Sequence, residues 1–195
     1  MDRLEIKNLA KRQIGPNIGI IVILYIIVYA IYIASSSLST IVSSALAIIF
    51  ELSLFSIYLN LAEGNPPDVK GLFYIFRNAK LCGNGILLYL LISIFTFLWS
   101  LLLVIPGIIK SLSYSMAPYI LLENEYYMTP MDAIKESQRI MDGHKMELFL
   151  LELSFIGWCL LGILTFGLIM FYVEPYINMT FVNFYNTIKD KPEIQ

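Results

Sequence analysis

Long apolar runs alternate with short charged segments along the chain. Six runs are separated by charged stretches or by minimal turns, and they cover residues 18–34, 38–62, 85–105, 107–122, 147–165 and 166–188. Most of them approach the length of about 20 residues that a helix needs to cross about 30 Å of hydrocarbon. Backbone groups cannot stay unpaired in lipid, and the runs lack the alternation of barrel strands. The pattern therefore predicts an all-α, polytopic membrane protein with six transmembrane helices.

The first run, residues 18–34, resembles either a first span or a secretory signal peptide. Basic residues precede it and small residues follow at 34–37. Its core is longer than an ordinary signal-peptide core, and a second span follows at once, which favours a retained span. The sequence leaves open whether it is cleaved.

The composition supports a membrane protein and narrows the choice of partners. Apolar residues make up 58% of the chain, against about 45–50% in typical soluble proteins. Charged residues are 14%, against about 25%, and the mean hydropathy is +0.73. With 13 Lys and Arg against 15 Asp and Glu there is no basic excess. These values argue against a soluble enzyme, a disordered chain and a nucleic-acid binder, and they make the lipid bilayer the predicted partner.

The basic residues predict the orientation of the spans. Of the 13 Lys and Arg residues, four precede the first run, three lie between the second and third, three between the fourth and fifth, and two follow the sixth. The connections on the other side, residues 35–37, 106–107 and 165–167, carry none. The positive-inside rule then places both termini in the cytoplasm. We therefore predict three hairpins that point outward through a plasma membrane.

A short charged segment with helical periodicity precedes each hairpin. In residues 129–145, Thr129 is a good N-cap, Pro130 suits the first helical position and Asp132 completes a capping-box-like pair. The apolar stripe of this segment comprises Ala133, Ile134, Ser137, Ile140 and Met141. Residues 68–81 follow a similar pattern, and residues 3–13 a weaker one. We predict that these segments are amphipathic helices at the cytoplasmic interface.

The hairpins also suggest an internal repeat with units 1–62, 63–122 and 123–188. The sequence FLWSLL at 97–102 parallels IGWCLL at 156–161, and Pro118-Tyr119-Ile120 parallels Pro175-Tyr176-Ile177. Shared marks in the same order favour duplication of the second and third units. The alternative is a chance likeness between Leu-rich spans, and the sequence does not decide between the two for the first unit.

Several of these stretches resemble a known family. They are FLWSLLLVIPGIIK at 97–110, SYSMAPYILL at 113–122, residues 133–145 with their Gly-His-Lys ending, SFIGW at 154–158 and Pro-Tyr-Ile at 175–177. Together they are similar to the bacterial integral membrane family called domain of unknown function 975. This resemblance implies a polytopic protein of the bacterial plasma membrane. The family has no established activity or catalytic residue, so the resemblance implies no functional residue here.

Ionisable residues inside the runs are the strongest candidates for function, because each costs at least about 2.5–3.5 kcal/mol at mid-bilayer. Glu51, Lys110 and Glu174 lie within predicted spans. Lys110 either snorkels to the outer headgroups or pairs with Glu174, and Glu51 is either protonated or paired across helices. The predicted intramembrane polar cavity comprises Glu51, Lys110, Glu174, Tyr114, Tyr119 and Tyr176.

Pro118 and Pro175 lie at corresponding positions of the last two units, inside the bilayer. Each removes a helical hydrogen bond, and we expect each to kink its span. Broken helices at corresponding positions of two repeats are typical of transporter binding sites. The alternative is that the prolines only adjust helix packing.

No catalytic motif is present, and Cys82, Cys159 and His144 match no metal or disulfide pattern. We therefore predict no cofactor and no metal. The leading hypothesis is a non-enzymatic, transporter-like permeation protein or an envelope-stress or immunity component. The alternative is a structural or chaperone-like scaffold that docks a membrane-protein partner, or a second copy, through its cytoplasmic helices. A third reading is an intramembrane enzyme that uses Glu51 or Glu174 as acid or base.

Overall fold

A computed structural model describes residues 3–37 and 39–189. Within these residues the fold consists of helices and turns: α1 (Arg3–Ile14), α2 (Ile18–Ser35), α3 (Thr40–Ala62), α4 (Tyr74–Arg77), α5 (Ala79–Leu102), α6 (Val104–Tyr114), α7 (Ala117–Glu123), α8 (Pro130–Ile140), α9 (Lys145–Leu153), α10 (Ile156–Leu164) and α11 (Met170–Ile188). Gly15–Asn17 and Val69–Phe73 form short 3-10 helices. The predicted start of the second run at residue 38 and the basic residue Lys191 lie outside the described residues.

Four helices in the described residues are long and apolar enough to cross a membrane. They are Arg3–Ser35, which joins α1 to α2, then Thr40–Ala62, Ala79–Leu102, and Lys145–Leu164, which joins α9 to α10. The prediction of an all-α membrane protein is confirmed at this level.

The predicted fourth span, residues 107–122, is not one continuous helix. It is divided into α6 and α7, with Ser115 and Met116 between them. Pro118 follows this break directly, at the start of α7, where its missing N–H cannot donate to the preceding turn. The break lies about 15 Å from the start of α6 along the helix axis, at a rise of 1.5 Å per residue.

A buried serine from another helix fills this break. Ser137 of α8 donates its hydroxyl to the carbonyl of Ser113 at 2.8 Å and accepts the N–H of Met116 at 3.2 Å. Its side chain has 0% relative exposure. Backbone groups freed by the interruption thereby regain partners away from water. The helix α8 is thus part of the bundle core on this side, packed against α5, α6 and α7.

The sixth predicted span corresponds to α11, which begins at Met170, after a turn. Ten of its 19 residues are buried, and it packs against α1, α2, α3 and α10. Polar side chains of a helix that packs against several others can face the bundle interior or a cavity instead of lipid, which explains why its sequence is less apolar than that of a lipid-facing span. The helix α11 therefore forms the centre of the bundle.

Burial divides the molecule into a packed part and an exposed apolar part. The second half of α3 is almost completely buried, from Leu52 to Leu61. Large apolar side chains are instead exposed on the outer parts of α2, α5 and α10, such as Ile33, Leu101 and Leu164. Exposed apolar surface of this extent is what contact with lipid requires. The charged segments at residues 3–13, 68–81 and 129–145 each contribute buried side chains to the packed part.

The three turns predicted from the sequence agree with the structure to different degrees. The chain reverses between Ser35 and Thr40, and again over Thr165–Ile169, where Phe166 and Gly167 have φ angles of 51° and 83°. The predicted turn at 106–107 is wrong, since the chain reverses at Leu103 and Gly107 lies inside α6. A Cβ on Gly107 would lie 2.9 Å from the Cα of Ser100, so this glycine permits the close approach of α5 and α6 instead.

The prediction of one amphipathic helix over residues 68–81 is wrong. This stretch forms a 3-10 helix and the one-turn helix α4, and Asn78 then caps α5 by accepting the N–H of Leu81 at 3.1 Å. Gly71 lies against Ile57 of α3, where a Cβ would approach to 2.9 Å. The segment thus follows the surface of α3 with its own irregular backbone. Residues 129–140 do form a capped helix, α8, in which Thr129 accepts the N–H of Asp132.

Candidate functional site

A cavity of about 770 Å³ lies between α2, α3 and α11. Its wall is completed by the turn before α11, at Phe166, Gly167 and Leu168. Ligand cavities in proteins have volumes of about 300–1,000 Å³. The α2–α3–α11 cavity is therefore large enough to hold a small molecule.

Two carboxylates from different helices line this cavity. Glu51 comes from α3 and Glu174 from α11, and both side chains are exposed to the space between the helices. The phenol of Tyr89, from α5, lies beside Glu51. No lysine, arginine or histidine is present among the described residues that line the cavity. The described part of the cavity wall is therefore acidic and has no basic side chain.

A buried hydrogen-bond network forms the polar end of the cavity. The hydroxyl of Tyr25 accepts hydrogen bonds from Asn178 at 2.7 Å and from the hydroxyl of Tyr58 at 3.3 Å. Asn178 and Glu174 are four residues apart on α11 and therefore lie on the same face of that helix. This network fixes the relative positions of α2, α3 and α11, the three helices that line the cavity.

Aromatic rings cover much of the rest of the cavity wall. We define the aromatic wall as Tyr29, Tyr32, Phe50, Phe55, Phe166 and Phe171. Tyr29 and Phe171 join α2 to α11 in an edge-to-face contact, with ring centroids 5.9 Å apart. Electron-rich ring faces beside carboxylates give the wall a negative potential.

Lys110 lies outside this cavity. Its ammonium is 5.0 Å from the ring centroid of Trp99, within the hairpin of α5 and α6. Glu174 faces the space between α2 and α3 instead. The predicted ion pair between Lys110 and Glu174 is therefore not formed, because their helices do not bring the two side chains to the same space. Contact with a tryptophan near a hairpin end fits the alternative reading of Lys110 as an interfacial residue.

The three predicted tyrosines are also placed elsewhere. Tyr119 is buried between Phe55 and Tyr185, with centroid distances of 4.9 and 5.6 Å. Tyr114 lies against Phe95, and Tyr176 contacts Phe155 edge to face. None of Tyr114, Tyr119 and Tyr176 is among the described cavity-lining residues. Tyr119 supports the cavity through its contact with the lining residue Phe55, whereas Tyr114 and Tyr176 are buried elsewhere in the core.

The two prolines have different surroundings. Pro118 begins α7 after the break filled by Ser137, and it lies away from the cavity. Pro175 is inside α11 and directly follows Glu174. Because proline has no N–H, Pro175 cannot donate the helical hydrogen bond to the carbonyl of Phe171, which itself lines the cavity.

Sequence reasoning missed the tyrosines of α2. Tyr25, Tyr29 and Tyr32 follow one another at spacings of four and three residues in an Ile-rich helix. This spacing places the three tyrosines on one face of the helix. It is the sequence signal that indicates an amphipathic stripe inside the first span. Asn178 was missed for a similar reason, since one amide in a long span has no visible partner in the sequence. No group of three or more His, Cys, Asp or Glu residues in the described part of the chain could hold a metal ion.

Comparison with protein families confirms the resemblance found in the sequence. The family model described as Protein of unknown function (DUF975) matches residues 100–192. Residues 100–192 of this chain are therefore similar to the DUF975 family. The DUF975 match begins at the end of α5 and includes Glu174 but not Glu51, so the cavity is built from residues inside and outside the matched region. No curated protein and no solved structure matches the chain.

Proposed function

We propose that this protein is a non-enzymatic, transporter-like protein of the bacterial plasma membrane that admits a small molecule to the α2–α3–α11 cavity. One observation carries the proposal: Glu51 and Glu174, two carboxylates on different helices, line a single cavity. Placing ionisable groups inside predicted spans has a cost that a purely structural helix avoids. Their convergence in one space supports a role in binding.

The proposed topology has six membrane-crossing segments in three outward hairpins, with both termini in the cytoplasm. The charge distribution of the loops supports it. In this arrangement Ser35 and the turn at Phe166–Leu168, which both line the cavity, lie at the outer ends of their helices. The cavity then opens toward the outside of the cell. The broken helix α6–α7 and the proline inside α11 further support a transporter-like architecture.

Topology is tested by reporter fusions. Fusions after Gly64 and Gly143 should report a cytoplasmic location, and fusions at Ser36 and Gly167 an external one. The reason is that nearly all Lys and Arg residues lie in the segments predicted to face the cytoplasm. Exchange of these sides at any one position would contradict the three-hairpin arrangement.

A scaffold function through the cytoplasmic helices is less well supported. The apolar side chains expected to dock a partner are already buried within this chain: Leu72, Ile75, Ala133 and Ile134 each have at most 1% relative exposure. A partner would therefore have to use another surface. The proposal is non-enzymatic because the described cavity-lining residues include no histidine, cysteine or lysine to form an activated nucleophile. Glu51 and Glu174 are the only carboxylates among these residues that could act as acid or base, and the proposal assigns them to binding. The proposal includes an envelope-stress or immunity role that acts through the same cavity.

Thiol accessibility tests whether the cavity is open. In a variant that lacks Cys82 and Cys159, a cysteine at the cavity-lining residue Ala47 should react with a membrane-impermeant methanethiosulfonate added from outside. A cysteine at Ala117, which has 0% exposure and lies in the core, is the matched control and should stay unmodified. Failure of the cysteine at Ala47 to react from outside, with folding intact, would refute an outward-open cavity.

Transport itself is tested by the charge-neutral change Glu51→Gln. The rate of small-molecule transport across the membrane should fall sharply while the expression level stays the same, because the change keeps the shape of the side chain and removes its charge. A scaffold should tolerate the same change. Preserved movement in Glu51→Gln would contradict a role of this carboxylate.

A further inference from the structure

We infer that the α2–α3–α11 cavity binds organic cations that carry an apolar body. This inference rests on the proposed function, because it names the ligand class of the same cavity. Three properties of the wall lead to it: its charge, its aromatic surface and its volume.

The charge of the wall selects for cations. Glu51 and Glu174 contribute two carboxylates, and the described lining residues include no basic side chain to pair with them. Lys110, the predicted partner of Glu174, contacts Trp99 in the α5–α6 hairpin instead. A carboxylate in apolar surroundings is stabilised when an opposite charge shares its space. A ligand cation would provide that charge, and an anionic ligand would be repelled.

The aromatic wall distinguishes an organic cation from a metal ion. Alkaline-earth ions take about six to eight oxygen ligands in proteins, and the polar lining offers mainly two carboxylates, Asn178 and Ser35 beside the tyrosines. Ring faces instead attract alkylammonium and similar cations, which bring apolar groups close to the rings. Tyr29 and Phe171, which are in edge-to-face contact, line the same cavity as Glu174.

The volume supports an apolar body larger than a simple ammonium ion. At about 770 Å³ the cavity falls in the upper part of the range of about 300–1,000 Å³ for small-molecule sites. Leucine, valine, methionine and phenylalanine side chains complete the lining. A hydrophobic cation fills this space with little uncompensated polar surface, whereas a sugar would leave hydroxyl groups, and an amino acid its carboxylate, without partners.

The test compares two probes of the same shape and opposite charge. Tetraphenylphosphonium and tetraphenylborate are measured by equilibrium dialysis against the purified full-length protein in mild detergent. The wild type should bind the phosphonium saturably and should not bind the borate in this way. Glu51→Gln and Glu174→Gln should each weaken binding of the phosphonium about tenfold or more, since each removes a desolvated charge from the wall.

Glu152→Gln is the matched control. Glu152 lies on α9, in another candidate span, and it is not among the lining residues. This variant loses the same charge from a membrane-spanning segment and should keep wild-type affinity. Equal loss in Glu152→Gln, undiminished phosphonium binding in the Glu51→Gln, Glu174→Gln double variant, or stronger binding of the borate would each overturn the inference.

A second measurement separates this inference from the proposed function. The cysteine at Ala47 is treated with methanethiosulfonates of similar size that carry either a trimethylammonium or a sulfonate group. We expect the cationic reagent to react about tenfold faster, relative to its reaction with a free thiol, and this preference to vanish in the double glutamine variant. Equal rates for both reagents would reject the ligand class and keep the open cavity. No reaction with either would reject the proposed function.

Discussion

Replacing Ser137 with alanine tests how the break between α6 and α7 is stabilised. The serine hydroxyl is fully buried and holds two backbone groups, the carbonyl of Ser113 and the N–H of Met116. Alanine would remove both hydrogen bonds and leave these groups without that partner. A buried polar group that loses its partner costs about 1–3 kcal/mol. We therefore expect Ser137→Ala to lower the free energy of unfolding by at least about 2 kcal/mol.

Ser53→Ala provides a matched control for this change. Ser53 is also fully buried, but its hydroxyl donates only to the carbonyl of Ile49, one turn earlier in its own helix, at 2.9 Å. That carbonyl lies inside α3 and keeps its helical backbone partner. Loss of one such hydrogen bond should cost at most about 1 kcal/mol.

The two variants are compared by reversible unfolding in mixed SDS and mild-detergent micelles, followed by tryptophan fluorescence. The free energy of unfolding should fall by at least about 1 kcal/mol more for Ser137→Ala than for Ser53→Ala. Equal losses in the two variants would refute the argument that Ser137 replaces missing helical hydrogen bonds. The helix break would then be stable without it.

Two further changes test packing and pH dependence. Gly107→Ala should destabilise the hairpin of α5 and α6 by about 1–3 kcal/mol, because its Cβ would meet the backbone of Ser100. Gly157 has open space around it, so Gly157→Ala is the control and should be neutral or slightly stabilising. Thermal unfolding of the two variants measures the difference. Desolvation, with the hydrogen bond to Glu125 next in importance, raises the pKa of Tyr74 from 10.0 to about 12. The stability from the protonated phenol is therefore complete below pH 10.0 and lost as pH rises to about 12. Tyr74→Phe should remove this part of the pH dependence of the unfolding free energy, and an unchanged profile would contradict the assignment.

Much of the helical architecture could be predicted from local patterns. The bounds of α2 and α3 agree closely with the predicted runs, and Thr129 begins α8 with the predicted cap. These features depend on residues close together in the sequence, through length, hydropathy and capping. The break near Pro118 could be expected only as a kink, because its separation into two helices depends on Ser137 from a different helix.

The composition of the cavity was only partly predictable. Glu51 and Glu174 stand out because ionisable residues are rare in apolar runs, and the structure brings both to one cavity. Lys110 stands out for the same reason but turns toward Trp99. The direction of a side chain around a helix depends on which neighbours pack against it, and the hydropathy of one span does not contain that information. The tyrosines of α2 become part of a site only when α11 packs opposite them.

The central position of α11 has a consequence for the order of assembly in the cell. This helix is synthesised after α1 to α10, yet it packs against α1, α2, α3 and α10. Its own hydropathy falls short of that of the four candidate spans, and Glu174 adds to the cost of entering lipid as an isolated segment. In the proposed six-span topology, the earlier helices would therefore reach the bilayer first and keep a groove open until α11 is made. A translocon that released each hairpin separately into lipid would leave that groove open to the wrong helix, so this sequence favours delayed release of the preceding spans.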